Sequence, residues 1–297
     1  MASVAPASGQ SYWQMLALPR HDAVAVLGVC AIALSAIAAS AAFGLSFSPA
    51  LHLMLLMPVV AGMLAFFYHL WRPRENQLFQ VLTYVALWAL LPTAGTQLTF
   101  LAATANMPLK TELFLAADRA LGFSWIDWAY FVRARPWLEW VTAKAYVSYA
   151  FQPYLALILI AYFGSARRNA QLMIATMIAL AFTIVISALI PAVEPAHAYG
   201  FKTPAWEAHQ ALRAGQRSDL PYVGIICFPS FHTAMAILFT AVYRGMPRFF
   251  WPAAALNGVM LLSVPYSGDH YLVDLIGGCA VAWIAIWLTW RFVPDPA

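Results

Sequence analysis

The 297 residues are 63% hydrophobic and only 9% charged, against roughly 45–50% apolar and about 25% charged in soluble domains, so a soluble fold is excluded. Sixteen basic and twelve acidic residues leave a formal charge of +4, too small and too dispersed for the basic stripe that a nucleic-acid partner requires. Cys30, Cys227 and Cys279 show no CxxC or Cys/His spacing, which points away from a disulfide framework and from zinc.

A bilayer core of about 30 Å takes about 20 apolar helical residues, because each backbone group in lipid must be satisfied within its own segment. Eight stretches approach that length: 23–45, 50–71, 77–101, 139–163, 170–190, 229–246, 249–266 and 270–290. The expected fold is therefore an all-α integral membrane protein of about eight transmembrane helices. Between the third and fourth stretches, 111–121 sets Leu113, Phe114, Ala117 and Leu121 at helical spacing, with Glu112, Asp118 and Arg119 elsewhere around it. That is the pattern of a short helix lying on the membrane surface. No repeat or soluble linker divides the chain.

Arg72 and Arg74, Arg167 and Arg168, and Arg244 and Arg248 recur at every second connection, with Arg20 before the first segment and Arg291 after the last. That side holds eight basic residues against Asp22, Glu75 and Asp295, while the other side holds eight against nine acidic ones. Both termini are thus expected in the cytoplasm, and the longer connections 102–138 and 191–228 outside. Trp71, Trp137, Trp140 and Trp290 fall near segment ends, as an aromatic belt places them. Ala38-Ala39-Ser40-Ala41-Ala42 resembles a signal-peptide cleavage region, but the long apolar run and weakly charged lead favour a retained helix.

The eighth segment opens Ser267-Gly268-Asp269-His270-Tyr271-Leu272-Val273-Asp274. His270 and Asp274, four residues apart, share one helix face. A carboxylate there accepts from one imidazole nitrogen and leaves the other to attack or to carry a proton. Asp274 is costly in a membrane without such a partner, and Gly277 with Gly278 lets a neighbouring helix approach closely. Phe228-Pro229-Ser230-Phe231-His232-Thr233 opens the sixth segment at the same membrane face. Pro229 suits the first helical position, so that amides of the next turn can point at an anion. Ser230 adds a hydroxyl donor and His232 a titratable group. Two histidines, a carboxylate and a helix start at one face suit phosphoryl transfer, one base attacking while an acid protonates the leaving oxygen. His52, His69, His197 and His209 read instead as packing or exposed histidines.

Pro229-Ser230-Phe231-His232 and His270-Tyr271-x-x-Asp274-Leu275-Ile276-x-Gly278 resemble the second and third signatures of the type 2 phosphatidic acid phosphatase superfamily. Phe231, where phosphatases usually have glycine, and Tyr271 after the histidine are more similar to the branch of the inositol phosphorylceramide and sphingomyelin synthases. The resemblance implies a six-helix catalytic core over 77–297, with 1–76 an N-terminal region carrying two extra helices. It implies that His270 attacks phosphorus, Asp274 orients it, and His232 protonates the leaving group, with no cofactor or metal. The acceptor is water in the hydrolases and a lipid hydroxyl in the synthases.

Two departures bear on the substrate. Where the phosphatase pattern begins with Lys-x6-Arg-Pro, this chain reads Ile190-Pro191-Ala192-Val193-Glu194-Pro195-Ala196-His197, and the arginine expected before the third-signature histidine is Gly268 or Val264. Phosphate-neutralising charge is then sought in Lys144, Lys202, Arg213 and Arg217. Ser230 and Tyr271 complete the expected substrate contacts, and 191–228, without obvious secondary structure, is expected to close over the head group. The missing cations disfavour a lipid monophosphate more than a phosphodiester, which carries less charge. The leading expectation is a head-group phosphotransferase working at the outer face on a phospholipid donor and a lipid hydroxyl acceptor. A lipid phosphate or polyprenyl diphosphate phosphatase with the same nucleophile is the alternative. A transporter with a His270–Asp274 proton relay comes third, as no inverted repeat is visible.

Overall fold

The structure, a computed structural model, describes residues 18–71, 76–165, 167–221 and 223–294. Arg72, Arg74, Glu75 and Asp295, used in the charge reading, lie outside the described residues, as does the side chain of His52. Among the described residues are thirteen α-helices and no strand. The first three are α1 (Arg20–Ala42), α2 (Pro49–Trp71) and α3 (Asn76–Ala103). Two short helices, α4 (Thr111–Ala120) and α5 (Trp125–Arg133), precede α6 (Pro136–Val147), α7 (Gln152–Phe163) and α8 (Arg167–Leu189). The outer connection holds α9 (Pro195–Ala198) and α10 (Pro204–Arg213), and α11 (Phe231–Ala241), α12 (Pro247–Ser267) and α13 (Leu272–Phe292) complete the chain.

Helices α1, α3, α8, α12 and α13 are each long and apolar enough to cross a membrane. The expected segment 139–163 is instead two helices, bent by 59° across Ser148–Ala150 and Phe151. Pro153 in the first turn of α7 explains the break, since it offers no N–H to the preceding turn. Counted as one broken span, α6 and α7 bring the membrane-capable elements among the described residues from five to six. The expected segment 229–246 is shorter than the sequence suggested: α11 has 11 residues, ~17 Å of helix against a core of about 30 Å. It ends in a turn with Gly245 at φ 73°, where the Arg168 guanidinium donates to the carbonyls of Val242 and Arg244. Arg244 in turn donates to Gln171 and lies 4.3 Å over the Trp290 ring. These contacts tie α8, α11 and α13 together at the end of the bundle away from the histidines.

The main core joins α1, α3, α7, α8, α11 and α13 through Val29, Tyr84, Leu91, Ile160, Met173, Met235, Phe239 and Ala282. Small residues set the close approaches: Ala61, Gly62 and Ala65 turn α2 onto α3, and Gly28 of α1 lies against Met177 of α8. The connection 191–228 is not structureless. Thr203 accepts from Trp206 N–H to start α10, with Pro204 in its first turn. Leu220 exchanges backbone hydrogen bonds with Ser46 and Ser48 in the α1–α2 connection, over a satellite core of Leu45, Phe47, Phe100, Leu212, Leu220 and Ile225. This connection is a folded cap seated on α3 and the α1–α2 connection.

Candidate catalytic site

Helix α11 begins two residues later than expected. Ser230 is its cap, accepting from Thr233 N–H, and Pro229 precedes the helix rather than occupying its first position. Ser230 is fully buried, and its own N–H donates 3.0 Å to the backbone carbonyl of Asp274. The start of α11 is thereby fixed to the first turn of α13. The crossing depends on Gly277 and Gly278: a Cβ at Gly278 would lie 2.7 Å from Thr233 Cβ, and one at Gly277 would strike Phe228 and Pro229. Close approach at these two glycines was expected, and this is the contact that uses it.

Asp274 is fully buried, and its Oδ2 lies 3.1 Å from His270 Nδ1. The carboxylate accepts the Nδ1 proton, which leaves Nε2 of His270 as the atom able to attack. The same oxygen accepts from Tyr271 N–H at 2.9 Å and from the Cys227 thiol at 3.2 Å. Cys227 Sγ, a His270 ring nitrogen and an Asp274 oxygen fall within 4.8 Å of one another, a possible metal group. The hydrogen bonds to Oδ2 already occupy the three atoms with each other. The turn before His270 is held by Asp269, at φ 54°, whose Oδ1 accepts from Ala196 N–H at 2.8 Å. Asp118 of α4 accepts from the N–H groups of Leu272 and Val273 at 2.9 and 3.0 Å. An internal carboxylate thus fills the anion position at the start of α13.

His232 is gripped by two tyrosines from the bend between α6 and α7. Tyr146 stacks on it with ring centroids 4.4 Å apart, and Tyr149 lies at 4.6 Å. Tyr146 Oη is 3.3 Å from His232 Nδ1. With Nδ1 engaged by the phenol, proton traffic is directed to Nε2.

Both histidines line a cavity of about 250 Å³. Its other walls are Trp88, Leu91, Pro92 and Gly95 of α3, Leu180 of α8, and the extended stretch Gly224 to Ile226, with Thr96, Thr99, Thr176 and Thr183 as hydroxyls. Among the described residues, no lysine or arginine lines it. Of the other expected substrate residues, Tyr271 is buried and stacked on Phe114 at 5.8 Å. Lys144 and Lys202 are exposed. Arg213 donates to the Met107 carbonyl and Arg217 to the carbonyls of Leu212 and Gln216. None of these five, nor Ser230, borders the cavity.

Charge around His270 is acidic. Burial raises the Glu194 carboxyl to about 7, with Asp269 adding to the effect and His270 opposing it. Burial likewise raises Asp269 to about 6. In the cap, burial and then Arg213 lower His209 to about 4, so it is neutral there. Tyr146, Tyr149, Cys227, Asp118, Asp269 and Glu194 were not singled out from the sequence. Asp269, immediately before His270, and Cys227, two residues before Pro229, had sequence positions that could have drawn attention.

Residues 112–288 match the family model described as the PAP2 superfamily. That span is more than half of the chain and includes His232, His270 and Asp274. No curated protein and no solved structure matches the chain.

Proposed function

The chain belongs to the PAP2 superfamily, and from that premise we propose that it is a membrane-embedded phosphotransferase that moves a phosphoryl-linked head group from one lipid to the hydroxyl of another. The observation that carries this reading is the cavity: both histidines open onto a space that is otherwise apolar, hydroxyl-bearing and without a cation. A phosphomonoester would enter such a space with two negative charges to neutralise, whereas a phosphodiester brings one.

In the first step His270 Nε2 bonds to phosphorus, the bond to the lipid alkoxide breaks, and His232 gives that oxygen a proton. The Nδ1 proton of His270 stays on the ring, and Asp274 balances the positive charge that the ring acquires. In the second step His232 takes the proton of the acceptor hydroxyl, whose oxygen attacks the phosphorus and releases His270. Because none of the expected cations borders the cavity, the remaining charge on the diester is offset only at long range, by Lys202 of the outer connection and Lys144 in the last turn of α6. Lys144 and Lys202 have no hydrogen-bond partner among the described residues, while Arg213 and Arg217 already serve backbone carbonyls. Tyr271 and Ser230 act by holding the helix starts. We further read 77–297 as the catalytic core and 1–76 as an addition, with the site at the outer face and both termini in the cytoplasm, as the arginine bias favours.

The test is incubation of the purified protein with a phospholipid labelled in its head group, with and without a lipid bearing a free hydroxyl. Label transferred to the acceptor lipid is the expected result. Label released as readily into water without acceptor would make the protein a phosphatase.

A further inference from the structure

Asp274 loads its bonds onto one oxygen. Oδ2 faces the ring of His270, the backbone N–H of Tyr271 and the thiol of Cys227, while Oδ1 meets no partner among the described residues. A carboxylate buried in apolar surroundings keeps its charge only while donors replace the water it has lost. Of the three donors, His270 is the reacting group and Tyr271 contributes only backbone. The thiol of Cys227 is the one remaining side chain that can set the direction of the carboxylate.

Cys227 is placed for that task by its own segment. It is 3% exposed, and three residues later Ser230 N–H binds the backbone carbonyl of Asp274. The stretch 227–230 therefore grips Asp274 twice, at Oδ2 and at the main chain, immediately before the helix that carries His232. Burial, and next the charge of Asp274, push the thiol well above its ordinary range. It stays protonated and serves as a donor rather than a nucleophile.

We propose that Cys227 is a positioning residue of the reaction, its S–H holding Asp274 charged and turned toward His270 Nδ1 while His270 carries the phosphoryl group. This rests on the reading of His270 as the nucleophile. No atom of Cys227 bonds to substrate, and its proton does not transfer. Its contribution is felt when the ring becomes cationic, and so in turnover rather than in substrate affinity.

The experiment compares Cys227→Ala, Cys227→Val and Cys227→Ser in the full chain with the wild type, using the head-group-labelled phospholipid and measuring kcat, KM, labelling of His270 and the thermal midpoint. Alanine and valine remove the donor, valine while filling the space, and should each lower kcat roughly tenfold or more, as expected when a buried charge loses a donor. KM should stay within about twofold, and serine, which restores a donor, should recover most of the rate. Wild-type kcat in either the alanine or the valine variant would overturn the proposal. So would serine falling as far as both, because volume and not donation would then be the cause. Should wild-type protein carry no label on His270, the parent reading fails. Label on His270 with an indifferent Cys227 refutes this inference alone.

Discussion

Gly278→Ala drives a methyl group into the seam between the two helices that bear the catalytic groups. The new Cβ would lie 2.7 Å from Thr233 Cβ and 3.0 Å from its Cγ2, and would overlap the carbonyl oxygen of Ser230. That oxygen already accepts from Ala234 N–H and cannot turn aside, so α11 and α13 must part by ~0.5–1 Å to regain ordinary carbon contacts. Such overpacking costs about 1–3 kcal/mol, and the better helix propensity of alanine offsets about 1 kcal/mol. The net loss of stability is therefore small, ~0–2 kcal/mol. Turnover is more exposed, because a misplacement of about 1 Å between reacting groups can cost about 100-fold. The expected result is a kcat reduced about 10- to 100-fold in a protein that still folds, measured beside its melting in detergent. Gly277→Ala should be milder, because its Cβ meets mainly the far end of the Phe228 ring, which can rotate, and reaches Pro229 Cβ only at 3.0 Å. Ile276, 52% exposed on the same helix, serves as the control in Ile276→Ala. Equal turnover in Gly278→Ala and Ile276→Ala would refute the argument that this crossing sets the distance between the histidines.

Tyr146→Phe keeps the stacked ring but removes the hydroxyl 3.3 Å from His232 Nδ1. A hydrogen bond worth about 1 kcal/mol predicts a five- to tenfold lower kcat, roughly, and an unchanged steady-state rate would contradict it. Glu194 has its carboxyl raised by burial from 4.5 to about 7, so the folded protein holds this proton more tightly than the unfolded chain does. The associated stability, ~3 kcal/mol, is fully present below about pH 4.5 and is lost as the pH rises through about 7. Glu194→Gln should flatten the fall of the thermal midpoint across that window, and the same slope in wild type and variant would remove Glu194 as its source. Among the loop cations, Lys202→Ala should raise KM for the phospholipid more than Arg213→Ala or Arg217→Ala, whose side chains are held by carbonyls. Titration of substrate against the three variants separates them.

What the sequence made visible was local. Span lengths follow from apolar runs, and the His270–Asp274 pair from a four-residue spacing, because hydropathy and helical period act within one segment. The glycine pair was likewise readable as a close-approach surface, although its partner, Ser230 with Thr233, was not. The extent of α11 was hidden because Val242, Tyr243 and Met246 continue the apolar run, while the turn that ends it is held by Arg168 from another helix. The break at Pro153 and the start of α10 at Thr203-Pro204 did carry local signals, and the long apolar run in one case and the charged loop composition in the other masked them. The supports of the site come from far along the chain. Tyr146 is 86 residues from His232, and Asp118 is 154 from Leu272. No periodicity within a segment encodes those meetings, which packing alone creates.

The most direct measurement is rapid quenching of the purified protein with phospholipid labelled at phosphorus, followed by identification of the labelled residue. An acid-labile phosphoryl bond on His270 is expected, absent from His270→Ala and accumulating when the acceptor lipid is withheld. In His232→Ala it should form more slowly on the same residue. Label that survives His270→Ala but disappears with His232→Ala would reverse the two roles, and label on neither histidine would contradict the covalent route.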